Sequence, residues 1–164
     1  MAKRFVGVIH FDVAPDVVFA AHCDPGYVVW KHEHMAAFDV SADMREDGGH
    51  VVIRSSRKLP AEIPSAARRF VGDAITVDEV HTWKHPDLDG ARHGTVTATF
   101  GNAPMEVYGT LELRPGGPGT ALQVVVHAKA HVPLVGGKLE NVVGEQFMRA
   151  LRKEQQIAPQ WFGQ

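Results

Sequence analysis

A single cysteine, Cys23, leaves this chain of 164 residues nothing to pair in an internal disulfide, and without paired cysteines there is no thiolate set for a structural metal. Long hydrophobic runs are missing too. No segment approaches the ~20 apolar residues that span a bilayer. His10 and Asp12 interrupt the apolar stretch behind the basic Lys3-Arg4 too early for a signal peptide. Nor is there a basic excess: the net charge is −2 and the pI near 6.5, which argues against general nucleic-acid binding, where cationic surface dominates affinity. The expected setting is cytoplasmic, without nucleic acid as a partner.

Catalytic and cofactor motifs are equally sparse. Ten histidines invite a metal reading, but His32-Glu33-His34 splays its imidazoles to different sides of a helix and lacks the i, i+4 spacing of HExxH. His127 and His131 fall on the outward parity of a strand, and no pair has a third ligand at usable spacing. Gly136-Gly137-Lys138 lacks the earlier glycine and the following Ser or Thr of a phosphate loop, since those positions hold Val132 and Leu139. No GxSxG elbow occurs, and Cys23 has no sign of activation. Neither a metal nor a cofactor is expected.

What is present is ordinary globular composition, 45% hydrophobic and 22% charged, suited to one domain over residues 1–164. Arg4 to Phe11 alternates as a first strand. Pro15 opens a short helix, and Asp24 caps a second containing Tyr27, Val28, Trp30 and Lys31. Six strands follow at hairpin spacing: Phe38 to about Met44, His50 to about Lys58, about Ala74 to Lys84, His93 to Phe100, Met105 to Arg114 and Thr120 to Ala130. Between the third and fourth, Leu59 to Gly72 reads as a loop with one short helix through Ile63, Ala67 and Phe70. From Lys138 the period changes to 3.6, with Leu139, Val142, Val143, Phe147, Ala150, Leu151 and Ile157 along one side.

This order predicts an α+β fold: a curved, antiparallel, seven-stranded sheet around a long C-terminal helix, with two short helices between strands one and two. It resembles the helix-grip fold of the START-like (SRPBCC, polyketide cyclase and lipid-transfer) superfamily, and more closely an uncharacterised actinobacterial branch of it. The residues behind the resemblance are Ala14-Pro15-Asp16-Val17-Val18-Phe19, Asp24-Pro25, Leu59-Pro60 with Pro64, Arg69-Phe70-Val71-Gly72, Thr82-Trp83, Gly109-Thr110-Leu111 and Pro133 to Glu140. They span nearly the whole chain and speak to fold far more than to chemistry.

Strand parity directs Phe38, Val40, Ala42 and Met44, then Val51, Ile53, Ser55 and Arg57, then Ile75, Val77, Glu79, His81 and Trp83 inward. Arg57, Glu79 and His81 are polar exceptions on an apolar face, so each needs a partner, a ligand or water. On the terminal helix, Gln146 falls mid-stripe and Glu154 near the edge, which marks Gln146 as a cavity residue or one bonded to backbone. Arg54 to Arg69 carries a local net charge of +4, read either as a solvated edge or as a lid and transient membrane-surface contact.

The resemblance implies a hydrophobic small molecule, a lipid, isoprenoid or polyketide-like compound, held between sheet and helix. Trp83, Phe100 and Phe147 would supply contact area, and Arg57, Glu79, His81 and Gln146 would orient a polar end. Alternatives are a cyclase or aromatase using His81 or Glu79 as general base, and a protein-interaction module.

Overall fold

The computed structural model describes residues 2–60 and 72–163. Seven strands form one antiparallel sheet: β1 (Lys3–Phe11), β2 (Phe38–Asp47), β3 (His50–Pro60), β4 (Ala74–Trp83), β5 (Arg92–Phe100), β6 (Met105–Gly116) and β7 (Gly119–Ala130). Their order across the sheet is β1-β7-β6-β5-β4-β3-β2, so β1 and β2 are the two edges. The helices α1 (Pro15–His22) and α2 (Pro25–Glu33) join these edges, and α3 (Gly136–Trp161) packs along β1 and β7. The predicted helix-grip architecture is the one observed. The basic residues Arg68 and Arg69, and the short helix expected through Ile63, Ala67 and Phe70, lie outside the described residues.

Period-two patterning builds the concave face. Val77, Trp83, Val96, Ala98, Val107, Leu111, Leu113, Leu122, Val124, Val126 and Ala128 all bury there. Register then aligns inward residues in rows across strands: Arg57 opposite Val77 and Phe100, Ser55 opposite Glu79 and Ala98, Ile53 opposite His81 and Val96. Asp24 caps α2 as expected, its carboxylate accepting the Gly26 N–H at 2.8 Å.

The edge strand β2 departs from simple alternation. Its register with β3 shifts between Phe38 and Ser41, and Asp39 adopts a φ of 51°. That bulge re-aims the strand end and leaves Phe38 exposed, opposite Lys58, while Met44 pairs in regular register with the inward Ile53 and is exposed at the sheet edge.

A second departure concerns α3. Its buried positions are Leu139, Glu140, Gly144, Leu151, Glu154, Ile157 and Ala158. Gln146 is exposed and takes no part in the interior. The helix turns toward β1 because Gly144 lets it approach Phe5 closely: a Cβ there would sit 2.0 Å from the ring. Two acids ride on the buried face, Glu140 accepting the Ala130 N–H at 2.9 Å and Glu154 entering the cluster described next.

Candidate functional site

Helix α2 carries Tyr27, Val28, Lys31 and His32 at spacings of one and four, which places all four on its buried face, the helix packing over β2 and β3. Residue 154 on α3 and His22 at the end of α1 meet the same space. Glu154, 4% exposed, is surrounded: the Tyr27 hydroxyl donates to its Oε2 at 2.7 Å, Lys31 Nζ donates to Oε1 at 3.2 Å, and His22 Nε2 stands 2.9 Å from Oε2. The other ring nitrogen of His22, Nδ1, lies 2.9 Å from the Val18 carbonyl oxygen.

A second acid cluster sits on the sheet itself. Arg57 Nη2 donates to Glu79 Oε1 at 3.1 Å, and His81 Nε2 hydrogen-bonds Glu79 Oε2. Glu79 is fully enclosed, while His81 retains some contact with solvent. Between the two acids lies a polar cavity of about 10 Å³, lined by His22, Lys31, His32, Ser55, Glu79 and His81 together with Val28 and Ile53. Such a volume holds about one water.

The electrostatics follow from burial and pairing. Burial alone would raise both carboxyls, but for Glu79 the nearby Arg57 and His81 outweigh it and hold the group well below the usual carboxylate range. Lys31 and His22 do the same for Glu154, overcoming its burial. Tyr27 is pushed well up by burial and by the Glu154 charge, so it remains a neutral donor. His32 is lowered to about 2 by burial first, then by the charges on Arg57 and Lys31. It faces the cavity as a neutral imidazole.

This last feature makes stability depend on pH well above the carboxylate range. An unfolded histidine gains its proton near pH 6.5, whereas folded His32 resists until about pH 2. The stability that neutrality provides is therefore complete above pH 6.5 and is lost steadily as pH falls. Between pH 7 and 5 the loss should be about 2 kcal/mol. Urea unfolding across that window should show the slope, and His32→Met should flatten it; an unchanged slope in the variant would show that His32 protonates freely in the folded chain.

Of the residues expected to contact a ligand, the fold gathers Arg57, Glu79 and His81 in one ion-paired group. Trp83 follows two residues on along the same face, and Phe100 lies in the Arg57 row. Phe147 is half-buried against the core and Gln146 points away. Two of these residues have buried donors without a hydrogen-bond partner among the described residues: Arg57 Nη1 and Trp83 Nε1. Because Arg57 is buried, it does not join Arg54 in a basic surface, and the exposed Lys58 pairs with Asp39 at 3.3 Å. His22, Tyr27, Lys31 and His32 are additions that strand parity did not reveal; the i, i+4 pairs Tyr27–Lys31 and Val28–His32 were the available signal. Cys23 is pushed up to about 11 by burial, against the opposing charge of Arg92, which keeps it an unreactive thiol. Among the described residues, no three His, Cys, Asp or Glu side chains converge in a way that would hold a metal ion, and no helix is long and apolar enough to cross a membrane.

A curved antiparallel sheet closed by one long helix, with two short helices between its edge strands, defines a helix-grip fold. Solved structures share that fold. TTHA0849 from Thermus thermophilus aligns over 96% of this chain and 98% of its own at a TM-score of 0.58 and 18% identity. The Zhui aromatase/cyclase from Streptomyces sp. R1128 aligns over 96% and 94% at 0.50 and 12%. The chain belongs to the DUF2505 family, described as a protein of unknown function, whose pattern it matches over residues 8–162. A relative in Mycobacterium tuberculosis, the uncharacterised protein Rv0481c, is 26% identical over 126 residues, covering 74% of this chain and 71% of the relative.

Proposed function

We infer that the protein binds a hydrophobic small molecule with an acceptor or anionic head, a lipid, isoprenoid or polyketide-like compound, on the inner face of the sheet. The observation that carries this reading is Arg57: its guanidinium donates from Nη2 to Glu79 and holds a second nitrogen, Nη1, buried with no hydrogen-bond partner among the described residues. A buried donor left unmade costs about 1–3 kcal/mol, and a carboxylate or carbonyl of a ligand would recover it. Phe100 in the same row and Phe147 on α3 offer apolar contact for the rest of the molecule. The polar cavity beside Glu79 is no larger than a water, so the ligand enters by parting its walls rather than by filling a ready void.

Titration with cis-parinaric acid and with its methyl ester tests this directly. The acid should bind more tightly than the ester. Arg57→Lys keeps a cation opposite Glu79 but loses the second arm of the fork, so acid affinity should fall about tenfold, the cost of a charge-assisted hydrogen bond, while ester affinity, which loses only a neutral carbonyl contact, should fall less. Equal affinities for both probes, or no binding of either, would remove Arg57 from the role.

The Glu79–His81 pair favours a second reading, a cyclase- or aromatase-like enzyme. A carboxylate bonded to Nε2 orients the imidazole and stabilises it when protonated, which leaves Nδ1 to take a proton from substrate. Arg57 Nη1 would then steady an enolate oxygen. Both readings use one site and differ in whether a bound polyketide-type compound turns over.

A further inference from the structure

The turn between β7 and α3 carries an apolar run that the interior does not fully use. Val132, Pro133, Leu134 and Val135 follow one another, and Leu134 is 103% exposed. Val132 packs against the core, and the His131 N–H donates to the Pro104 carbonyl at 2.7 Å. The base of the turn is thereby tied to the loop that joins β5 and β6.

Its tip is strained. Leu134 has a φ of 70°, and the Val135 N–H donates back to the Pro133 carbonyl at 2.8 Å. Together these make a three-residue γ-turn of the rare kind with positive φ at its centre. Glycine adopts such a backbone freely, whereas a residue with a side chain does so at a cost. Gly136 and Gly137 stand two and three places further on, yet the centre of the turn holds leucine. A strained tip that lifts a large apolar side chain clear of the protein gains nothing in water. It gains when an apolar phase receives that side chain.

The surroundings give that phase a sign. Lys3 lies opposite Ala128 across β1 and β7, Lys129 lies opposite Glu106 across β7 and β6, and Lys3 Nζ donates to the Gly137 carbonyl at 3.2 Å. Residues 2–4, 104–106 and 129–138 thus meet around the turn. They hold four cations, Lys3, Arg4, Lys129 and Lys138, against one acid, Glu106, a local balance of +3 in a chain of −2. Glu106 stands 3.7 Å from His131, and the next acid along α3, Glu140, is buried and accepts the Ala130 N–H. A protein partner would need a pocket for the leucine and an acid placed against each cation. An anionic bilayer supplies both without specific placement, and its surface attracts each nearby cation about fivefold.

We propose that this turn docks the protein on an anionic lipid bilayer. Leu134 enters the boundary between headgroups and acyl chains, and the four cations face lipid phosphates. The contact shares no residue with the Arg57 cluster and stands whether or not that cluster takes a ligand.

Co-sedimentation of the full chain with sucrose-loaded vesicles tests it. Vesicles of about 30% phosphatidylglycerol in phosphatidylcholine should bind at least about tenfold more tightly than phosphatidylcholine alone at about 0.1 M salt. Raising salt to about 0.5 M should remove most of that difference. Leu134→Gly should weaken binding to the anionic vesicles about tenfold. Glycine suits the turn, so this variant should melt near the wild-type temperature, which separates lost docking from lost folding. Arg4→Gln combined with Lys138→Gln, both at exposed positions, should also weaken binding about tenfold. Equal binding to both vesicle types, binding to neither, or a Leu134→Gly variant that binds as well as wild type would overturn the assignment.

Discussion

Glu154→Ala should lower the stability of the folded chain by about 3–5 kcal/mol, the cost of removing one partner from a buried ion pair, and so move the thermal midpoint down by about 6–20 °C for a chain of this size. The loss does not come from a missing contact alone. Lys31 Nζ stays enclosed 3.2 Å from where the carboxylate was, the Tyr27 hydroxyl loses its acceptor, and His22 loses the oxygen facing Nε2. Replacing the pair together, Lys31→Met with Glu154→Leu, should recover most of the loss, since apolar residues of similar volume commonly stand in for a buried pair. The acid limb separates the charge from the packing. Glu154 is held well below the ordinary carboxylate range, so its contribution is complete above the unfolded value near 4.3 and is lost progressively as pH falls from there toward the lower folded value. Urea titrations at pH 7, 4 and 3 should therefore show the gap between wild type and Glu154→Ala narrowing, by about 2 kcal/mol at pH 3. A constant gap down to pH 3 would mean that the acid matters for its volume and not its charge.

Much of this fold was readable because the concave face obeys one rule. Along β5, β6 and β7 the inward positions of Val96 to Phe100, Met105 to Leu113 and Leu122 to Ala128 are apolar or glycine at every second residue, and glycine- and proline-rich turns mark each hairpin, so strand order and facing followed from parity. The rule fails where a backbone irregularity or a tertiary approach intervenes. The bulge at Phe38–Ser41 has no compositional signature in Phe38-Asp39-Val40, so the exposure of Phe38 was hidden. On α3, hydropathy counts Glu140, Gly144 and Glu154 as surface, although all three are buried: Gly144 because Phe5 needs its missing side chain, and the two glutamates because β7 and α2 supply their partners. Discounting them turns the inferred stripe toward Gln146. The polar cluster was half visible for the same reason. Arg57, Glu79 and His81 stood out as exceptions on apolar strands, whereas Lys31 and His32 belong to a short helix where charged residues attract no notice until the opposing acid is in place.

Glu79→Gln should change stability and ligand affinity in opposite directions. In the unliganded chain the carboxylate balances Arg57 and accepts from His81. Neutralising it leaves the buried guanidinium without a counter-charge, at a cost of about 3 kcal/mol and a thermal midpoint about 6–12 °C lower. The amide oxygen can still accept one hydrogen bond, so the fold should persist. That same carboxylate competes with any anionic head for Arg57, and its charge opposes the entry of a second anion beside it. Without it, cis-parinaric acid should bind about tenfold more tightly, a gain of one charge-assisted contact, while the methyl ester gains little. Saturating acid should then return part of the lost stability, by about 2.7 kcal/mol at a hundred times the dissociation constant. Calorimetric melts of wild type and variant, each with and without the acid, measure both halves at once. A variant that is destabilised but binds the acid no better would leave the Arg57–Glu79 pair a structural brace, and the ligand's head would have to be sought away from Arg57.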